Sequence, residues 1–206
     1  MLIERPPEWF RRFFPGVVFR LPGSHKNQPT VYLTFDDGPI PEATPWVLDI
    51  LDQHGVKATF FMVGQNIERH PELLAEVRRR GHRVGNHSLH HIRGLRLSPA
   101  DYLTDVDACE KYTDSRLYRP PHGWLTPGQL KELKKHYRIV MFDVVTRDYS
   151  RKVNADEVFE NVRKLTRDGS IIVFHDSLKS IDKLKTALPK ALEWLKQEGY
   201  AFGLIE

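Results

Sequence analysis

Four groupings of side chains in this 206-residue chain have the types and spacing for hydrolytic chemistry. Thr34-Phe35-Asp36-Asp37-Gly38-Pro39 sets two adjacent carboxylates at the end of an apolar run. Successive residues leaving a strand point to different sides, so one carboxylate can bind a metal while the other faces a bound water. His87-Ser88-Leu89-His90-His91 follows. If that segment is helical, His87 and His91 lie on one face at i, i+4 and can share an ion. His90 leaves a less favourable angle with His87. Two imidazoles and one carboxylate, with a fourth position open, form the ligand set of a catalytic zinc. Arg119-Pro120-Pro121-His122-Gly123 makes a rigid turn able to present a backbone N–H as an oxyanion donor. Asp148 and His175 can form a carboxylate–imidazole pair, which raises the histidine pKa as a general acid near neutral pH requires. Taken singly, each grouping is equally a turn, a cap or a surface histidine pair.

Their meaning depends on the elements that carry them. Apolar, β-branched runs recur at Val31–Phe35, Ala58–Val63, Arg83–Gly85, Leu117–Tyr118, Ile139–Phe142, Ile171–Phe174 and Ala201–Ile205. Segments of helical period lie between them, with start signals at Pro71, Ser98-Pro99, Thr126-Pro127 and Asn154. The last helix carries Leu184, Leu188, Leu192 and Leu195, and Pro189 should kink or break it. Seven strands alternating with six helices predict an α/β fold with a parallel sheet, either open and doubly wound or closed. Asp36 and Asp37, His87, Arg119, Asp148 and His175 all fall at the C-terminal ends of strands. A closed barrel brings such residues into one mouth, whereas an open sheet spreads them along an edge. A (β/α) barrel of about seven parallel strands is therefore favoured, with its active site at the C-terminal face.

Residues 1–30 form an N-terminal extension and residues 31–206 the catalytic domain. Within the extension, Trp9, Phe10, Phe13 and Phe14 stand opposite Arg11 and Arg12. That pattern suits a short amphipathic helix covering the barrel floor or a sheet edge, with an interfacial membrane anchor as the alternative. Composition narrows the remaining classes. An apolar fraction of 40% can fill one core without disulfide staples. The lone Cys109 excludes an internal disulfide and a thiolate metal cluster, and its helical setting marks it as a buried thiol. The net charge of +4 is spread along the chain rather than gathered in a stripe with aromatics, so no nucleic-acid partner is expected. No run is long enough to cross a membrane, and charges interrupt the N-terminus where a signal peptide would be apolar. The default location is cytoplasmic, with membrane-surface association or unconventional export as alternatives.

Read in order, TFDDG, HSxxH, RPPxG, TRDY and VFHD resemble the five motifs of the polysaccharide deacetylase family, the NodB-homology domain of carbohydrate esterase family four. The resemblance runs from about Val31 to the C-terminus. It implies a distorted barrel and hydrolysis of N-acetyl, sometimes O-acetyl, groups on a glycan or small N-acetyl sugar. It further implies a divalent metal on Asp37, His87 and His91, zinc first, with cobalt, nickel or manganese able to replace it. In that scheme Asp36 is the general base, Arg119 its partner, His175 the acid that protonates the leaving amine, and Asp148 its tuner. The backbone N–H of His122 joins the metal in stabilising the oxyanion. His122, Tyr149 and Val173 stand where the family often has tyrosine, tryptophan and leucine, so the acetyl pocket is expected to differ in depth. Trp124 is a candidate for stacking on a sugar ring, or for packing. Two other readings remain open: hydrolysis of a non-sugar linear or cyclic amide on the same fold, and an inactive glycan-binding module. The intact DDG and HxxxH sets weigh against the first, and the presence of Asp36 and His175 against the second.

Overall fold

In the computed structural model, which describes residues 4–22 and 28–206 (the Arg96 side chain excepted), the sheet is parallel throughout. Residues 1–3 and 23–27 of the expected N-terminal extension lie outside the described residues. The strands are β1 (Thr30–Asp36), β2 (Thr59–Met62), β3 (Arg83–Asn86), β4 (Leu117–Tyr118), β5 (Arg138–Ile139), β6 (Val144–Val145), β7 (Ile171–His175) and β8 (Ala201–Phe202). Their order is β5-β4-β3-β2-β1-β7-β6, with β8 on the N-terminal end of β1. The α-helices are α1 (Glu8–Arg11), α2 (Thr44–Gln53), α3 (Gly64–Arg69), α4 (Pro71–Arg79), α5 (Pro99–Thr113), α6 (Pro127–Leu133), α7 (Ala155–Leu165) and α8 (Ile181–Gln197).

The two-residue side-chain period sorts each strand into an outer and an inner face. On β1, Val31, Leu33 and Phe35 join the main core beneath the helices, as do Ile172 and Phe174 on β7. Tyr32, Thr34 and Asp36, with Ile171, Val173 and His175 of β7, then face the other way. Asp36 and His175 are direct cross-strand partners. The sheet is curled. Arg119, just past β4, bonds Thr34 and Asp36 of β1, both at 2.7 Å, although β3 and β2 lie between. In a flat sheet three strand spacings would separate them by about 14 Å. The distorted barrel expected from the sequence is the architecture found.

Three expectations shift in detail. The run Ile139–Phe142 is not one strand: β5 ends at Ile139, Val140 bridges to Val18, and β6 starts at Val144. The chain changes partners here: the Val140 N–H bonds Tyr118 and the Met141 N–H bonds Val18, whereas the Asp143 N–H bonds Ile171 of β7. The fully buried Asp143 carboxylate accepts hydrogen bonds from Arg11, Arg167 and Ser170. Helix α8 runs on through Pro189 without a break, with Leu184, Leu188, Leu192 and Leu195 all buried along one row. The N-terminal segment, expected on the barrel floor or a sheet edge, covers an edge, and its Val18 and Leu21 also pack on the cluster of Tyr32, Phe61, Leu117 and Ile171. Val18 and Arg20 bridge to Val140 and Ser170, sealing the seam that β5 and β6 leave open. Phe10 and Phe14 pack beside Phe142, Val145 and Val173, while Trp9 and Phe13 stay exposed.

Caps expected from the sequence fix the helices that frame the mouth. Ser98 accepts from the Asp101 N–H, and Thr126 and Asn154 form reciprocal capping boxes with Gln129 and Glu157.

Candidate active site

Asp37, His87 and His91 meet at the C-terminal mouth of the sheet, with one ligand atom from each lying within 4.8 Å of the others. Asp37 Oδ1 stands 3.7 Å from His87 Nε2 and 3.1 Å from His91 Nε2. Donors bonded tetrahedrally at about 2.1 Å to zinc are about 3.4 Å apart, so the spacing fits a small divalent ion. The protonation states fit as well. Burial opposes the Asp37 carboxylate, but the hydrogen bond from His91 and the neighbouring histidines outweigh it and hold its pKa well below the usual range. Burial pulls His87 down to about 4, which leaves a neutral imidazole at pH 7. His87 Nδ1 lies 2.7 Å from the Arg119 carbonyl, which sets Nδ1–H as donor and frees Nε2 for a ligand.

The two histidines do not reach this geometry on a helix. Residues 87–91 form a loop, with Ser88 and His91 at φ of 65° and 53°. The Ser88 and Leu89 carbonyls accept from the Gly64 and Gln65 N–H groups that open α3, so they are not available for helical bonds. Asn86 anchors the start of the loop, accepting from the Ser88 N–H and donating to the Val106 carbonyl. Asp105 of α5 accepts from the Leu89 N–H at 3.1 Å and bonds His90 Nδ1. His90 is thereby turned away, and His91 takes the inward position. The pair was legible from spacing, but its i, i+4 rationale was wrong.

Arg119 is 1% exposed and fully partnered. Beyond Thr34 and Asp36 it donates to the Val140 and Met141 carbonyls at 3.2 and 2.9 Å, and its guanidinium lies 4.1 Å from the Phe61 ring centre. Asp36 Oδ1 takes the guanidinium bond, while Oδ2 has no hydrogen-bond partner among the described residues. Across the cavity, His175 Nδ1 bonds Asp148 Oδ1 at 2.7 Å, and Asp148 Oδ2 accepts from the His175 N–H. Burial disfavours the imidazolium, but Asp148 outweighs it and holds His175 up at about 9.

Asp36, Arg119 and His175 line a cavity of about 450 Å³ together with Pro120, His122, Trp124, Val145, Tyr149 and Val173. His122 adopts φ 60° between a proline and a glycine, and its N–H donates to no acceptor among the described residues. Its imidazole packs edge-on to His91, with ring centres 4.7 Å apart. Tyr149 meets His175 in the same way at 4.8 Å. Trp124 is 48% exposed at the rim, a position open to a ligand. Asp37, Ser88, His91, His122 and Arg147 all have positive φ without being glycine, which concentrates backbone strain at the mouth.

Sequence reasoning missed Asp176, whose place after His175 suggested only a capping turn. It is fully buried, and its carboxylate accepts from the Gly38 N–H at 3.2 Å and the Thr44 hydroxyl at 2.6 Å. A Cβ at residue 38 would stand 2.1 Å from Asp176 Oδ2, so the turn after Asp37 requires glycine. Asp105 had no local signal, and Asp176 none beyond its place at the end of VFHD, because each acts on a segment distant in sequence.

The assembled geometry matches known proteins. Residues 23–139 match the polysaccharide deacetylase family. A peptidoglycan-N-acetylglucosamine deacetylase of Bacillus cereus is 33% identical over 85% of this chain and 86% of its own. A peptidoglycan-N-acetylmuramic acid deacetylase of Bacillus subtilis is 33% identical over 87% of this chain and 71% of its own. The crystal structure of a peptidoglycan N-acetylglucosamine deacetylase in complex with an N-oxidanyl-benzamide superposes with a TM-score of 0.87 at 31% identity, covering 97% of this chain and 95% of that one. Fold, motif order and close relatives agree: the chain is an enzyme of the polysaccharide deacetylase family.

Proposed function

We propose that this enzyme hydrolyses the N-acetyl group of amino sugars in a peptidoglycan-type glycan, through a divalent metal, a carboxylate base and an imidazolium acid. The observation that carries this reading is a cavity lined by Asp36, Asp37, His91, Arg119 and His175, with His87 completing the cluster of Asp37 and His91 and Asp148 backing His175 from behind the wall. The donor set favours zinc, which when bound lowers the pKa of water and polarises a carbonyl as a Lewis acid.

The chain's own groups divide the remaining work. Arg119 pins one oxygen of Asp36, leaving the other to take the proton of the attacking water. The His122 N–H is free to meet the oxyanion that develops on the acetyl carbonyl. His175 carries a proton at neutral pH and delivers it from Nε2 to the departing sugar nitrogen, while Asp148 holds Nδ1. Val173 and Tyr149 shape the acetyl pocket, and the exposed Trp124 offers a face to a sugar ring. The products are acetate and a free amine on the glycan.

The test is acetate release from N-acetylglucosamine oligomers and peptidoglycan, beside a set of small cyclic amides. Release from the glycans, abolished in Asp36→Asn, supports the reading. Turnover confined to the cyclic amides overturns it.

A further inference from the structure

The rim of the cavity carries charge that deacetylation of a neutral sugar does not use. Arg93 lies two residues past His91 and Lys179 four past His175, so they approach the mouth from separate loops, and both line the cavity. Both are exposed, and neither has an ion pair or side-chain hydrogen bond among the described residues. Other cations near the mouth are engaged: Arg119 by Asp36, Arg147 by Glu4, and Lys183 by the Ser150 carbonyl. Among the described residues, the only carboxylates lining the cavity are Asp36 and Asp37, already partnered by Arg119 and the histidines.

A cleft whose rim bears one sign of charge concentrates ligands of the other. Leu95, 58% exposed, and Trp124 add apolar faces to the same cavity, suited to the faces of sugar rings. We infer that Arg93 and Lys179 form a carboxylate subsite, and that the favoured substrate is an N-acetylated glycan bearing a carboxylate close to the acetamido group. Arg93 offers a planar fork to both carboxylate oxygens, and Lys179 a mobile point charge. The inference rests on the deacetylase reading of the same cavity.

The test compares a disaccharide of N-acetylglucosamine and N-acetylmuramic acid with its carboxyl methyl ester, which keeps the sugar frame and removes the charge. The parent enzyme should favour the free acid by about tenfold in kcat/KM at low salt, with the preference shrinking as salt is added. In Arg93→Gln/Lys179→Gln the acid-to-ester ratio should fall to about one. Both side chains are exposed, so the substitutions leave the core untouched. Equal rates on acid and ester in the parent, or an undiminished ratio in the double variant, overturn the subsite while leaving the deacetylase reading standing. Turnover of neither disaccharide, nor of any N-acetylglucosamine oligomer, overturns both.

Discussion

Removing Arg119 should expose how much of the fold rests on one buried ion pair. The guanidinium makes four hydrogen bonds, and the side chains of Arg119 and Asp36 are 1% and 7% exposed. Arg119→Met keeps most of the volume but strips Asp36 of its counter-charge and leaves two carbonyls unsatisfied. Breaking a buried pair from one side costs about 3–5 kcal/mol. For a chain of this length each kcal/mol moves Tm by about 2–4 °C, so the midpoint should fall by about 6–20 °C. Asp36→Asn keeps an acceptor for Arg119 but strands its buried guanidinium charge, and should likewise cost about 3 kcal/mol. The double variant Arg119→Met/Asp36→Asn carries no stranded carboxylate. It should therefore be more stable than the sum of the singles, by at least about 1 kcal/mol. Urea unfolding of all four proteins in chelator measures this cycle without any contribution from metal. Additivity within about 0.5 kcal/mol, or an Arg119→Met variant as stable as the parent, would refute the reasoning.

Three further outcomes follow from the same geometry. A general acid works only while protonated, so activity should fall as pH rises through the His175 pKa of about 9. Asp148→Asn should move that alkaline limb of kcat/KM down by more than about one pH unit, and an unmoved limb would remove Asp148 from the tuning role. Asp143 is held at about 2 against an ordinary 3.8, because Arg167, Arg11 and Ser170 outweigh its burial. Its folded pKa is depressed, so its contribution of about 2 kcal/mol is present above pH 4 and is lost as pH falls from about 4 to 2. Asp143→Asn should therefore cost about 2 kcal/mol in urea melts at pH 7 and flatten the stability loss over that acid window. Gly38→Ala drives a methyl into the Asp176 carboxylate and should cost about 2–3 kcal/mol. Adding Asp176→Ala should recover part of that loss, and no recovery would mean that Gly38 matters for another reason.

The strand ends were legible because side chains alternate strictly along a strand, and a polar residue closing an apolar run stands out against that period. Asp36, Arg119 and His175 were found in this way, and their convergence followed once the sheet was taken as closed. The loop holding His87 and His91 was not legible. Its shape is imposed by Asp105 and by the N-terminus of α3, and neither contact has a signature near residue 87. The break after Ile139 was hidden for a similar reason. It falls where the backbone changes partners from Tyr118 and Val18 to Ile171, all remote in sequence. The amphipathic pattern of Trp9 to Phe14 indicated a packed face, but where it packs depends on the gap between β5 and β6, which only the fold reveals.

The central claim is hydrolysis at a metal held by Asp37, His87 and His91. Its most direct test is a zinc titration of metal-stripped enzyme, following acetate release from peptidoglycan. Activity should be absent without metal, rise with added zinc, and saturate at a single ion per chain. Full acetate release from the metal-free protein would contradict the claim.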